Sequence, residues 1–321
     1  PPSDCYLASM RMLWKNIKGL VGAYETPPDY LSGKEMHAFA LIEDAWLAID
    51  DGRIADFGAM SDFPGIVDWS GLEVVDCSGR YVLPSWCDSH THLVFAASRG
   101  GEFLARLEGR SYQEIAAAGG GILNSAKALQ LKSEEELLQD ARVRLESVMS
   151  AGTGAIEIKS GYGLTAESEL KMLRVIAALK DEFNIPIRST FLGCHAVPQG
   201  NWTPASWTAH VIDDILPLVA SEKLADYVDA FCEDGYFTVE QVAQLLRAAQ
   251  AFGLSGKVHV NQFTALGGVA MGLKHSVRSL DHLEELSEGD LAALKDQVAA
   301  DSSPVFACAL PGCSYFLGIP F

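Results

Sequence analysis

A regular alternation of short apolar runs with longer amphipathic stretches begins near residue 83 and continues through the rest of the chain. Strands that alternate with helices pair in parallel through helical crossovers. Seven predicted strands without a Gly-x-Gly-x-x-Gly fingerprint favour an α/β fold of the (β/α)8 TIM-like barrel type over a dinucleotide-binding sheet. The predicted strands are Val82–Cys87, Gly154–Lys159, Ile187–Leu192, Tyr227–Cys232, Lys257–Val260, Val277–Leu280 and Val305–Leu310. The predicted helices are Glu134–Ser150, Ala166–Phe183 and Val239–Phe252.

The N-terminal segment has a different pattern and is predicted to form a small β-sandwich domain. Two apolar runs within Ala45–Ile54 flank Asp51-Gly52, which is typical of a β-hairpin. A second pair of runs flanks the turn at Ser78-Gly79. We therefore divide the chain into a β-rich domain over residues 1–82 and a barrel over residues 83–321.

Composition excludes several classes of partner. The formal net charge is −18, so the chain repels nucleic acid and anionic membranes. No apolar run approaches the length that crosses a bilayer. Seven cysteines without a Cys-x-x-Cys spacing are typical of reduced thiols, which favours a cytoplasmic protein without a thiolate zinc site.

Histidines mark the ends of the predicted strands. His90 and His92 follow an apolar run at spacing i, i+2, so both side chains leave the same face of a strand. Imidazole nitrogens that converge from several strands at a barrel mouth suit a divalent metal. Histidines at a strand end that bond to backbone are the alternative interpretation, but five of the eight histidines lie at strand ends. They are His90, His92, His195, His259 and His282, and the predicted ligands are His90, His92 and His259.

Residues 83–94 resemble the metal-binding first strand of the amidohydrolase superfamily. Within it, the chain resembles the imidazolonepropionase family from about residue 45 to its end. The most specific stretches are Lys159–Leu164, which reads Lys-Ser-Gly-Tyr-Gly-Leu, and Phe191–Pro198, which reads Phe-Leu-Gly-Cys-His-Ala-Val-Pro. The remaining stretches are His90–Arg99, Ser111–Ile115, Gly119–Ile122, Phe231–Glu233, His259–Gln262 and Asp281–Glu284.

The resemblance implies a metal-dependent hydrolase of histidine degradation, which converts 4-imidazolone-5-propanoate to N-formimidoyl-L-glutamate. It implies one divalent or trivalent ion, zinc or iron, on the three predicted ligands, with a metal-activated water that attacks the ring carbonyl. His282 matches a catalytic position close to that water, where it would act as the base. The positions that match substrate-binding residues are Arg99, Tyr112, Tyr162 and His195.

The propionate arm of such a small anionic substrate needs a local cation in a protein this acidic. Arg99 follows the metal motif by one loop and can offer a bidentate fork. A surface arginine is the alternative interpretation. A homodimer is compatible with barrels of this kind.

The chain departs from the family at two places. Gln262 stands where many members have glutamate, and a neutral amide can hydrogen-bond the substrate but cannot act as a general base. The family's last ligand, an aspartate on the eighth strand within Thr-Asp-x-Asn-Pro-Gly, has no match here. We therefore expect the eighth strand and the C-terminal piece of the small domain to be missing from this chain.

Three alternatives stay open. The chain could be another cyclic amidase of the superfamily or a deaminase of a heterocyclic base, although a base deaminase has no anion for Arg99 to hold. It could also be a truncated, non-catalytic metal-binding barrel, which the missing strand and Gln262 would explain.

Overall fold

The structure is a computed structural model that describes residues 11–110, 114–115, 120–299 and 304–319. The chain divides into two compact units, with the division between Ser85 and Trp86.

The first unit is a five-stranded sheet. Its centre is β1 (Arg11–Val21), which pairs antiparallel with β2 (Leu41–Asp50). The Asp51-Gly52 turn joins β2 to β3 (Arg53–Ala59), and both turn residues have positive φ, so the predicted hairpin is confirmed. β1 also pairs in parallel with β4 (Leu72–Asp76) and β5 (Tyr81–Val82). Short 3₁₀ turns lie at Gly33–His37 and Met60–Asp62.

The second unit is a parallel sheet that is nearly closed as a barrel, as predicted. Its seven strands follow one another in chain order, so that β6 and β12 form the two edges among the described residues. Each neighbouring pair is parallel. The strands are β6 (Trp86–Thr91), β7 (Thr153–Lys159), β8 (Ile187–Cys194), β9 (Tyr227–Cys232), β10 (Ser255–Val260), β11 (Ser279–His282) and β12 (Phe306–Cys308).

Helices follow or separate these strands. Several begin with a side-chain cap, and the capping box of Ser133 and Glu136 is an example. In the described part of the chain, no helix is both long and apolar enough to cross a membrane. The helices are α1 (Gly100–Leu107), α2 (Ile122–Leu131), α3 (Glu134–Ser150), α4 (Ala166–Glu182), α5 (Pro204–His210), α6 (Leu216–Ser221), α7 (Val239–Ala251), α8 (Gly268–Lys274), α9 (Glu288–Ala299) and α10 (Pro311–Leu317). A π-helical turn, Val211–Ile215, joins α5 to α6.

The three predicted helices are confirmed to within one residue at each end. The first barrel strand was predicted too early, at Val82–Cys87. Tyr81 and Val82 instead pair with β1, and Pro84, which has no N–H to donate, separates them from β6. The barrel strand is the more polar run that follows, and it carries His90.

Candidate functional site

Three histidines meet at the carboxyl ends of two barrel strands. His90 lies on β6, His92 follows it directly, and His259 lies on β10. One ring nitrogen from each lies within 4.8 Å of the other two. The Nε2 atoms of His92 and His259 are 3.3 Å apart. The structure thus brings together the three histidines that the sequence assigned to one ion.

Two buried aspartates orient two of these rings. Nδ1 of His90 lies 2.6 Å from Oδ2 of Asp281, and Nδ1 of His259 lies 2.8 Å from Oδ2 of Asp229. The hydrogen bond of His90 to Asp281 fixes its tautomer and leaves Nε2 as the metal-ligating atom, and the short contact with Asp229 favours the same orientation for His259. Sequence reasoning missed Asp229, although a carboxylate in the middle of an apolar strand is a usable signal.

Below the histidines, Lys159 connects these carboxylates. Its Nζ lies 2.7 Å from Glu157, 2.9 Å from Asp229 and 3.5 Å from Asp281. Burial alone would lower the pKa of Lys159, but the three carboxylates raise it above its usual value. The side chain therefore stays charged in the barrel interior.

The state of the rings fits a metal ion. Burial lowers the pKa of His90 and of His92 well below the usual value, and it lowers the pKa of His259 even though Asp229 opposes this shift. A neutral imidazole is the form that ligates a metal. Nδ1 of His92 is buried without a hydrogen-bond partner. These residues could hold a metal ion, whose identity the donor set leaves open.

A cavity of about 290 Å³ adjoins the three histidines. Each side chain that was predicted to bind substrate or act in catalysis lines this cavity, except Tyr112, which lies outside the described residues. Those side chains are Arg99, Tyr162, His195, Gln262 and His282. Residues of α10, among them Cys313 and Phe316, form part of the wall. A concave, mostly apolar space with a few convergent polar groups is typical of a small-molecule site.

Arg99 and Arg106 are the cations of the cavity wall among the described residues. Arg99 is half-buried, and its Nη1 lies 3.7 Å from Oε2 of Glu102. Arg106, which sequence reasoning missed, donates to the carbonyls of Arg110 and Leu317 and so ties α1 to the end of α10. Of the two, Arg99 has the fewer bonds to protein and is better placed to hold an anion.

His282 and Gln262 also line the cavity. His282 has φ of +88°, an uncommon conformation for a bulky residue and one often found at functional sites. Its Nδ1 lies 3.5 Å from Oε1 of Glu284. Nε2 of Gln262 contacts Sγ of Cys313 at 3.8 Å. Gln262 therefore faces the cavity as a neutral group.

Comparisons with known proteins agree with this site. No protein-family model matches the chain. It is 49% identical over 313 residues to an imidazolonepropionase from Christiangramia forsetii, and 50% identical over 313 residues to one from Flavobacterium johnsoniae. Each alignment covers 97% of this chain and 74% of the relative. The chain belongs to the imidazolonepropionase family.

Among solved structures, Escherichia coli guanine deaminase superposes with a TM-score of 0.63 at 12% identity, over 96% of this chain and 68% of that one. That likeness shows a shared fold. The family resemblance, the hydrolase class and the barrel predicted from the sequence are thus confirmed.

Proposed function

We propose that the chain hydrolyses 4-imidazolone-5-propanoate to N-formimidoyl-L-glutamate, a step of histidine degradation. The observation that carries this proposal is the placement of Arg99 and three convergent neutral histidines around one cavity. A substrate with an amide carbonyl at one end and a carboxylate at the other needs both features in one space.

His90, His92 and His259 would hold one divalent or trivalent ion, zinc or iron, for which three imidazoles are suitable ligands. When bound, such an ion polarises a carbonyl and lowers the pKa of a coordinated water. The carboxylates of Asp229 and Asp281 hold two of the rings with Nε2 free for this purpose.

The other side chains bind the substrate and move a proton. The guanidinium of Arg99 pairs with the propionate. Tyr162, His195 and the amide of Gln262 hydrogen-bond the ring. Nε2 of His282 takes the proton from the attacking water, since Gln262 cannot accept one.

The test is a turnover assay on the purified chain, combined with its metal content. We expect one metal ion per chain and conversion of the imidazolone, both lost in His92→Ala. Both should persist in His37→Ala, a matched change at an exposed position. Turnover of a heterocyclic base without the imidazolone would favour a deaminase, and metal binding without any turnover would favour a non-catalytic barrel.

The six described cysteines are all free thiols, which supports a reducing compartment such as the cytoplasm. A small anionic substrate, rather than nucleic acid or a membrane, remains the partner that the net charge of −18 favours. A homodimer stays a prediction, and size-exclusion chromatography with light scattering would test it.

A further inference from the structure

Glu169, on α4, is a completely buried carboxylate that forms no ion pair among the described residues. Its oxygens accept hydrogen bonds from three backbone N–H groups of one loop. Oε2 accepts from Gly161 at 2.8 Å, and Oε1 accepts from Gly163 at 2.7 Å and from Leu164 at 3.0 Å. A buried carboxylate that accepts three backbone hydrogen bonds holds the surrounding loop in one conformation.

The loop has an irregular backbone around this carboxylate. Gly161 and Leu164 have φ of +107° and +54°, in the left-handed region. A Cβ at Gly163 would lie 2.4 Å from the backbone nitrogen of Glu169, so the loop packs against the start of α4 without room for a side chain. The N–H groups of Gly161, Gly163 and Leu164 therefore meet at the one carboxylate.

This loop builds one side of the cavity. It carries Tyr162, whose ring centre lies 5.3 Å from that of His195. The carbonyl oxygen of Gly161 lies 2.9 Å from Nδ1 of His195. A carbonyl oxygen can only accept, so Nδ1 of His195 carries the hydrogen and donates it.

The consequence concerns the opposite ring nitrogen. The Nδ1 hydrogen is donated to the Gly161 carbonyl, and a neutral imidazole has only this one ring hydrogen. With that hydrogen on Nδ1, Nε2 is an acceptor. Because Nδ1 is turned to the loop, Nε2 is left for the cavity that His195 lines.

We propose that Glu169 is a positioning residue that, through the Gly161 carbonyl, makes His195 present an acceptor to the cavity and so selects ligands with a ring N–H there. This inference rests on the proposed function only for the identity of the ligand, a heterocycle with an amide-type N–H. A ligand that offers a lone pair or a methyl group at this point would leave Nε2 buried and unpaired.

The first test reads the tautomer without any turnover. Nitrogen-15 NMR of histidine-labelled protein, with His195→Gln for assignment, should show the hydrogen of His195 on Nδ1. A hydrogen on Nε2 in the unmodified protein would overturn the inference, whether or not any variant folds.

The second test is Glu169→Gln, which keeps the shape but replaces one acceptor oxygen with a donor. We expect faster hydrogen exchange at the Gly161 amide and a mixed tautomer at His195. Glu169→Asp keeps both acceptors on a shorter arm and should have a smaller effect. Glu136→Gln is the control, since Glu136 caps the start of α3 with the same chemistry and does not line the cavity.

The third test is specificity. We expect KM of Glu169→Gln to rise about tenfold, with kcat changed less, because one buried hydrogen bond that orders the binding wall is lost. Methylation of one of the two ring nitrogens of the imidazolone propanoate should weaken binding to the unmodified protein at least about tenfold relative to the parent compound. Glu169→Gln should lose that discrimination. The positioning role would be overturned if folded Glu169→Gln kept the hydrogen-exchange rate, the tautomer and the ratio of affinities for parent and N-methylated compounds. A His195 hydrogen on Nδ1 in a protein without turnover would count against the proposed function alone.

Discussion

The two halves of the site are supported in different ways. In the metal half, His90 and His259 lie on strands, and two other strands supply their partners, Asp281 on β11 for His90 and Asp229 on β9 for His259. In the substrate half, Tyr162 lies in a loop, and a loop carbonyl holds His195. Strand register supports the metal half, because His259 pairs directly with Asp281 on β11, whose carboxylate contacts His90. The substrate half depends on single contacts between loops.

This difference predicts how each half fails. The charged layer under the histidines consists of Lys159, Glu157, Asp229 and Asp281. A change in this layer removes support that several residues share. It should therefore affect stability and metal binding together. A change in the loops should affect recognition of one substrate group and leave the barrel intact. Each of the following variants addresses one side of that comparison.

The largest effect is expected for Lys159→Met. The variant keeps the length of the side chain but removes the cation that three buried carboxylates share, and only Asp281 and Glu157 keep a second lysine nearby, Lys257, at 3.5 and 4.0 Å. We expect the free energy of unfolding to fall by about 3–5 kcal/mol, as for a buried pair that loses one partner. Urea denaturation measures this. Lys180→Met, which breaks the more exposed pair with Asp226, should cost no more than about 1 kcal/mol. Equal losses in the two variants would contradict a shared support under the site.

Asp229→Asn tests the metal half more narrowly. The amide can no longer hold Nδ1 of His259 as a carboxylate does, so the ring is less well oriented. We expect metal affinity to fall by about 10- to 100-fold, as is usual when such a supporting carboxylate is lost. Competition with a chelator measures the affinity. The control is Asp226→Asn. Asp226 directly precedes β9, at the end away from the histidines, and its carboxylate accepts hydrogen bonds from Ser189 and Lys180. Unchanged metal affinity in Asp229→Asn would show that register alone holds the ring.

Arg99→Ala tests the substrate half. The guanidinium is expected to hold the propionate, so its loss should raise KM for the propionate-bearing imidazolone by about tenfold or more, from one charge-assisted hydrogen bond. KM for a neutral imidazolone should change little, and so should the free energy of unfolding. Arg174→Ala, in an exposed pair with Glu222, is the control. Equal changes for both substrates would remove Arg99 from anion binding.

The same difference explains what the sequence could predict. The metal half follows periodic rules: strand alternation places His90 and His92 on one face, and a barrel brings His259 to the same rim. Tyr162 was found only through the resemblance of its motif, because a loop with left-handed residues has no period to read. The strand-end pattern marked His195, but only the resemblance assigned it to substrate. Glu169 carried no signal, since an acidic residue in the first turn of a helix is ordinary. β6 was misplaced because the preceding run is more apolar, while the true strand is polar where it meets the charged layer.

A further effect is the pH dependence of stability without metal, which His195 in the substrate half tests as a single residue. His195 has a pKa of about 3 because of burial, and Asp229 opposes this shift only in part. Below pH 6.5 the unfolded chain binds a proton at His195 that the folded chain does not bind. Stability should therefore fall as pH falls, by about 1.4 kcal/mol per pH unit for this residue, and should level off above pH 6.5. Urea denaturation of chelator-treated protein between pH 7.5 and 5 measures the slope. His195→Gln should reduce it by about one proton and His37→Gln, at an exposed position, should not. An unchanged slope in His195→Gln would mean that His195 takes up a proton in the folded barrel, and the wall that it forms would then not present a fixed acceptor.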